Sequence, residues 1–295
     1  MRPGSPPRRP ETARPRGAGG DVHGAPEPPP EVEPPTPDEV ERIASHLVSL
    51  PVGGDGSAIR DDALGVTLIR GSGYGPDAYY ATTPRWDVDS WRTSLTSVRE
   101  HLHDQGAWPS LLICDSLDRP EGLADRMQGE GWTRVSGETV MWVGHASIVP
   151  HLDPLLRIEA LQPRSVAEHE QIEREIFGIA PVDADRRREA VSDALEAGTA
   201  RGWIVWLDEE PVAVARMSQG DGVAALQGIG VVRSRRNQGF GTLITTIATR
   251  AAMAVGNRIV WLSVDPEDPA ALRIYERLGY APLFGWSRWL LTEDP

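Results

Sequence analysis

Two glycines one residue apart, preceded by three arginines, are where the residue types and spacing of this 295-residue chain could do chemistry. The stretch Arg233-Ser234-Arg235-Arg236-Asn237-Gln238-Gly239-Phe240-Gly241-Thr242 follows an apolar run, 223–232, that reads as a strand. It opens a segment, 239–255, that reads as a helix. Glycine lets the backbone turn tightly and approach a ligand closely. The unpaired amides of the helix's first turn point outward, and its N-terminus carries roughly half a positive charge. Together these make a site for a pyrophosphate or a similar anion. The spacing lacks the third glycine of a dinucleotide fingerprint, and no Lys-Ser/Thr pair follows as in a P-loop.

A second constellation lies downstream, at Asp268-Pro269-Ala270-Ala271-Leu272-Arg273-Ile274-Tyr275-Glu276-Arg277-Leu278-Gly279-Tyr280. The pair of motifs resembles the GNAT superfamily of N-acetyltransferases. Residues 236–241 match its Gln/Arg-x-x-Gly-x-Gly/Ala turn at every fixed position. Residues 268–280 match its Asn-x-x-Ala-x-x-x-Tyr-x-x-x-Gly-Phe segment with Asp at 268 and Tyr at 280. The resemblance covers residues 155 to 291. It implies acetyl-CoA as co-substrate, with its pyrophosphate on the amides of Asn237, Gln238, Gly239, Phe240, Gly241 and Thr242 beside Arg236. The pantetheine arm would pair with the backbone of Ile229 and Val231, on a strand that splays from its parallel neighbour. Gly228 and Gly230 suit such a distortion.

The resemblance also assigns roles. Tyr275 would protonate the leaving thiolate, since a phenol with a pKa near ~10 stays protonated at neutral pH. The Val231 amide would support the oxyanion, and Asp268 and Tyr275 would border the cofactor. Many members carry a carboxylate base on the central strand, where this chain has Gln227, and glutamine cannot serve. Glu175, Asp208 and Asp265 are candidate relays, and the base is unassigned. Much of the rate could then come from positioning the reactants.

These residues need elements to hold them. In the second half the pattern predicts strands at 156–161, 203–207, 212–217, 223–232, 259–264 and 283–291. Helices are expected at 164–177, 184–197, 239–255 and 269–278. In the first half a capped helix starts near Thr36-Pro37-Asp38. Strands follow at 63–69, 78–82, 110–114 and 133–143, with helices at 87–103 and 122–130. Helices between late strands imply an α/β fold, an α+β mixed sheet with parallel members.

Comparing element order suggests that the first half is a degenerate copy of the second, a tandem of GNAT-like domains. The strand 110–114, its helix, Gly131-Trp132 and 140–143 echo the strand 259–264, its helix, Gly279-Tyr280 and 286–291. Met127 then stands where Tyr275 does, and no Arg-x-x-Gly-x-Gly turn precedes it. The first half is expected not to bind coenzyme A, but to pack on the second and help shape the acceptor site. The organisation is thus a Pro-rich disordered tail at 1–37, holding 12 of 26 prolines, a degenerate domain at 38–145, a linker at 146–154 and an acetyl-CoA-binding domain at 155–295.

A net charge of −13, with arginine as the sole basic residue beside histidine, argues against nucleic acid or anionic lipid as partner. No apolar run approaches the ~20 residues of a membrane span. Without an apolar h-region near the N-terminus a cytoplasmic location is expected. Cys114, within Leu111-Leu112-Ile113-Cys114, reads as a core residue. His101 and His103 lack a third ligand, so no metal is expected. The ten tryptophans read as core and interface aromatics. The leading function is transfer of acetyl from acetyl-CoA to an amine of a small molecule or protein, by a monomer or homodimer. Gln227 and Asp268 motivate the alternative of a non-catalytic acetyl-CoA sensor. Transfer of another acyl group, or to a hydroxyl, is a third reading.

Overall fold

Eleven strands hydrogen-bond into a single mixed sheet in the computed structural model, which describes residues 33–49, 57–70, 79–115, 117–146, 155–178 and 184–291. The first-half elements are α1 (Pro37–Ser49), β1 (Ser57–Asp61), β2 (Val66–Arg70), β3 (Tyr79–Thr82), α2 (Trp91–Asp104), β4 (Ser110–Cys114), α3 (Leu123–Gly129) and β5 (Trp132–Val143). The second half supplies β6 (Leu156–Ala160), α4 (Val166–Phe177), α5 (Ala184–Glu196), β7 (Ala200–Leu207), β8 (Glu210–Gly220), β9 (Val223–Val231), α6 (Phe240–Ala254), β10 (Ile259–Val264), α7 (Pro269–Arg277) and β11 (Ala281–Leu291). Most expected elements are present within a few residues of their predicted ends. The tail at 1–32 and the linker segment 147–154 lie outside the described residues.

The two halves repeat one element order. A meander leads into a parallel pair on each side, β3 with β4 and β9 with β10. Each parallel connection runs through a helix, α2 or α6, as parallel pairing requires. Strand order is β1-β2-β3-β4-β11-β5-β10-β9-β8-β7-β6. The last strand of each half therefore crosses to the other: β5 pairs antiparallel with β10, and β11 with β4. Between them β5 and β11 pair from Trp132↔Leu291 to Ala281↔Trp142. Sequence pattern gave both strands but not this exchange.

Alternation along the central strands separates two cores. Ala224, Leu226, Val260 and Leu262 face α6, whose Leu243, Ile244 and Ala248 are buried against them. Val223, Ala225, Ile259 and Trp261 face the opposite side, where the first half's α1 inserts Ile43, Ala44, Leu47 and Val48. A third cluster, around Leu95, Val98, Met127 and Trp289, fills the space under α2 and α3. Eight of the ten tryptophans are buried, at 86, 91, 132, 142, 203, 206, 261 and 289, whereas Trp108 is exposed. Cys114 is fully buried in the core, as expected.

Candidate acyl-transfer site

Strand β9 and its bulge organise the site. The parallel ladder to β10 ends at Leu226↔Leu262, so Gln227 to Val231 run on with no β10 partner. On the other side the ladder to β8 steps from Arg216↔Gln227 to Val214↔Gly230, leaving Gly228 and Ile229 opposite Ala215 alone. Two residues against one is a β-bulge, and it bends the strand away from β10. Gly228 sits at φ +58°, a left-handed conformation that disfavours a side chain. A Cβ there would lie 2.1 Å from Oε1 of Glu173. The expected splay is present, and its glycine is required twice over.

After β9 the chain makes a 3-10 turn, Arg233–Arg235, and then the glycine turn into α6. Asn237 and Gly239 both take left-handed φ, +61° and +89°. Asparagine tolerates that region and glycine is at home in it, which accounts for both residue types. A Cβ on Gly239 would meet nothing within 4 Å, so the turn opens onto space that a ligand can fill. Arg236 Nε donates to the Val231 carbonyl at 3.3 Å, pinning the turn to the strand end.

That space is a cavity of about 670 Å³ between the splayed strand, the α6 N-terminus and α7. Ile229, Val231, Arg236, Asn237, Gly239, Phe240, Gly241, Thr242, Asp268 and Tyr275 all line it. Gln238 does not; its side chain is turned back to the Ser234 carbonyl. Four arginines, 235, 236, 273 and 277, border the cavity against one carboxylate, Asp268. Arg273 and Arg277 had not been singled out. Their spacing of four on α7 was the available signal, since such residues share a helix face.

Asp268 is the N-cap of α7, its Oδ1 accepting from the amides of Ala270 and Ala271 at 3.0 Å each. Aspartate thus satisfies the donors that asparagine would in the same place. Tyr275 is buried on α7 beside Tyr280, with ring centroids 5.9 Å apart. Burial, reinforced by the charges of Asp268 and Glu138, pushes its phenol up to about 12. Glu138 comes from β5, so the crossed strand brings a first-half carboxylate into the field of Tyr275. Burial and the charge of Asp265 raise Glu138 above the usual carboxylate range, opposed by a hydrogen bond with Ser263.

The three candidate relays, Glu175, Asp208 and Asp265, are exposed, and of them only Asp265 acts on this centre, through its charge on Glu138. The carboxylate against the bulge is Glu173, almost fully buried, accepting from Arg216 at 2.8 Å and paired with Arg187 at 3.4 Å. Gln227 Nε2 donates to Ser218 Oγ at 2.8 Å, and Ser218 in turn meets Nε2 of His46 at 3.1 Å. No motif in the sequence marks Glu173 or His46, and no spacing links His46 to a residue 172 positions away. In the first half, Met127 is fully buried in apolar contacts at the position corresponding to Tyr275. Among the described residues no His/Cys/Asp/Glu group has the arrangement of a metal site, and no helix is long and apolar enough to cross a membrane.

A bulged strand released from its parallel neighbour, a glycine turn into a helix and a tyrosine-bearing helix behind them make up the site. Residues 165–280 match the family model described as Acetyltransferase (GNAT) family, and this segment is a GNAT domain. The structure of a GCN5-related N-acetyltransferase from Kribbella flavida is similar at a TM-score of 0.67 and 22% identity, over 86% of this chain and 95% of that one. A GCN5-related N-acetyltransferase from Sphaerobacter thermophilus matches at 0.58 and 17%, over 78% and 81%. A tandem GNAT protein from the clavulanic acid biosynthesis pathway matches at 0.58 and 14%, over 85% and 88%. These likenesses are of fold alone, and they span both halves. No curated relative matches the sequence.

Proposed function

We propose that this protein transfers the acetyl group of acetyl-CoA directly to an amine, carried by a small molecule or a protein side chain. One observation carries the reading: the glycine turn and Tyr275 open onto the same arginine-bordered cavity. The amides of 237–242 and the four arginines are suited to the coenzyme's phosphates. Strand β9, without a β10 partner beyond Leu226, offers backbone groups at Ile229 and Val231 to the pantetheine amides, and the Val231 amide is the oxyanion donor. Tyr275 holds a proton for the departing sulfur.

Calorimetry with acetyl-CoA, followed by thiol release against a panel of amines, tests this. Binding is expected for the wild type, with loss of binding in Gly239→Trp, whose indole would fill the open side of the turn. A wild type that does not bind, or a Gly239→Trp variant that binds equally, would sink the assignment.

A further inference from the structure

A second cavity, about 490 Å³, is lined on β9 by Gln227, two residues before Ile229, where that strand starts to line the first cavity. Its walls come from β8, α5 and the first half's α1. The two cavities thus adjoin the same strand at neighbouring residues, Gln227 and Ile229. Three groups lining the second cavity form a chain: Gln227 Nε2 donates to Ser218 Oγ, and Ser218 Oγ is 3.1 Å from His46 Nε2. Because the serine oxygen accepts from the glutamine, its own hydrogen can be directed to the imidazole. Arg216 is engaged by Glu173, and Arg42 by the Asp221 carbonyl at 2.7 Å.

Resting on the acetyltransferase reading above, we propose that Ser218 and His46 form the proton path that replaces the missing carboxylate base, with Ser218 touching the acceptor amine and His46 positioned behind it. As the acceptor nitrogen bonds to the acetyl carbon and the carbon–sulfur bond breaks, one N–H proton passes to Ser218 Oγ. Ser218 gives its own proton to His46 Nε2, and the sulfur takes the proton of Tyr275. The imidazolium then releases its proton to water, and Tyr275 regains one. Gln227, which cannot accept this proton, orients the serine. Burial holds His46 at about 4, opposed by the charge of Asp221, so its ring is neutral at pH 7; the same burial disfavours the imidazolium, so the ring carries the proton only in passing. The first half thereby supplies chemistry to the second half's site through α1.

The hydrogen-bond chain is read without turnover by nitrogen NMR of histidine-labelled protein. The His46 Nε2 signal, assigned by its loss in His46→Gln, is expected to be that of an unprotonated nitrogen and to move in Ser218→Ala. A protonated Nε2, or no movement, overturns the path. In kinetics, Ser218→Ala and His46→Gln are expected to lower kcat by about 10²-fold, the usual contribution of a positioned base, while acetyl-CoA affinity by calorimetry stays unchanged. Imidazole should restore part of the rate to His46→Ala and none to Ser218→Ala. If a histidine variant fails to fold, Ser218→Ala, which removes one oxygen, decides alone. Wild-type kcat in Ser218→Ala overturns the path and leaves the acetyltransferase reading standing. A wild type that binds no acetyl-CoA overturns both.

Discussion

Tyr275 shows how burial sets a role. Its phenol is pushed up to about 12, first by loss of solvent and then by the charges of Asp268 and Glu138. A group raised this far keeps its proton across the working range, so kcat is expected to show no alkaline limb from Tyr275 below about pH 10. Tyr275→Phe removes the proton but keeps the ring's packing against Tyr280, and should lower kcat by about 10²-fold with acetyl-CoA affinity unchanged. Thiol release measured from pH 6 to 10 checks both; an unchanged rate across that range removes the acid role. Tyr275 and Asp268 were legible in the sequence because both sit in one contiguous segment whose spacing repeats a known pattern. Glu173 was not, although Glu175 was weighed two residues away. Two residues on a helix are about 200° apart around its axis, so one faces the bulge and the other solvent. Only the placement of α4 on β8 and β9 decides which.

Helix α1 shows the same limit for an element. Its start was legible in the polar cap at Thr36-Pro37-Asp38, and the structure adds Glu39 as the other half of a capping box: the Thr36 amide donates to Glu39 at 2.8 Å and the Glu39 amide to Thr36 Oγ1 at 3.4 Å. What it packs against was not, because an amphipathic pattern reports a buried face and no partner. The partners include β9 and β10 of the other half, and Glu39 also pairs with Arg258 ahead of β10. The Arg258 guanidinium beside Glu39 holds its carboxyl down to about 2, against an ordinary 4.5. A carboxyl lowered on folding stabilises the native state above about 4.5, and that contribution fades as pH falls toward 2. Glu39→Gln keeps the cap but loses the charge, so its denaturation midpoint should fall below wild type at pH 7 and converge with it near pH 2. Arg258 is 47% exposed, which limits the ion pair to about 1 kcal/mol or less. Ile43, fully buried, matters more: Ile43→Ala should cost about 2–5 kcal/mol. Equal losses from the two variants would show that docking is electrostatic instead. Strand β1 escaped sequence reading for a related reason. It is an edge strand, exposed along most of its length, and so lacks the burial alternation that marks a strand.

For the whole molecule, the crossed strands make each half depend on the other. Local patterning could report two similar element orders, but strand partners are set by which apolar faces complement one another, and that choice leaves no mark on either strand alone. In this sheet β10 is completed by β5 and β4 by β11, while the cluster around Trp261 takes Ile43, Leu47, Val140 and Trp142 from the first half. A second half expressed alone would leave β10 with an open edge and Trp261 without that cover. Open edges and exposed apolar surface both promote association. Residues 155–295 alone are therefore expected to self-associate, whereas coexpression with 33–154 should yield a soluble one-to-one complex by size exclusion. If the proposed function holds for the intact chain, that complex is expected to match its affinity for acetyl-CoA, because the residues lining the cavity lie in the second half. Thiol release should also require the first half, which provides α1. A folded, monomeric second half with wild-type turnover would mean that β11 returns to β10 unaided and that α1 contributes nothing to the reaction.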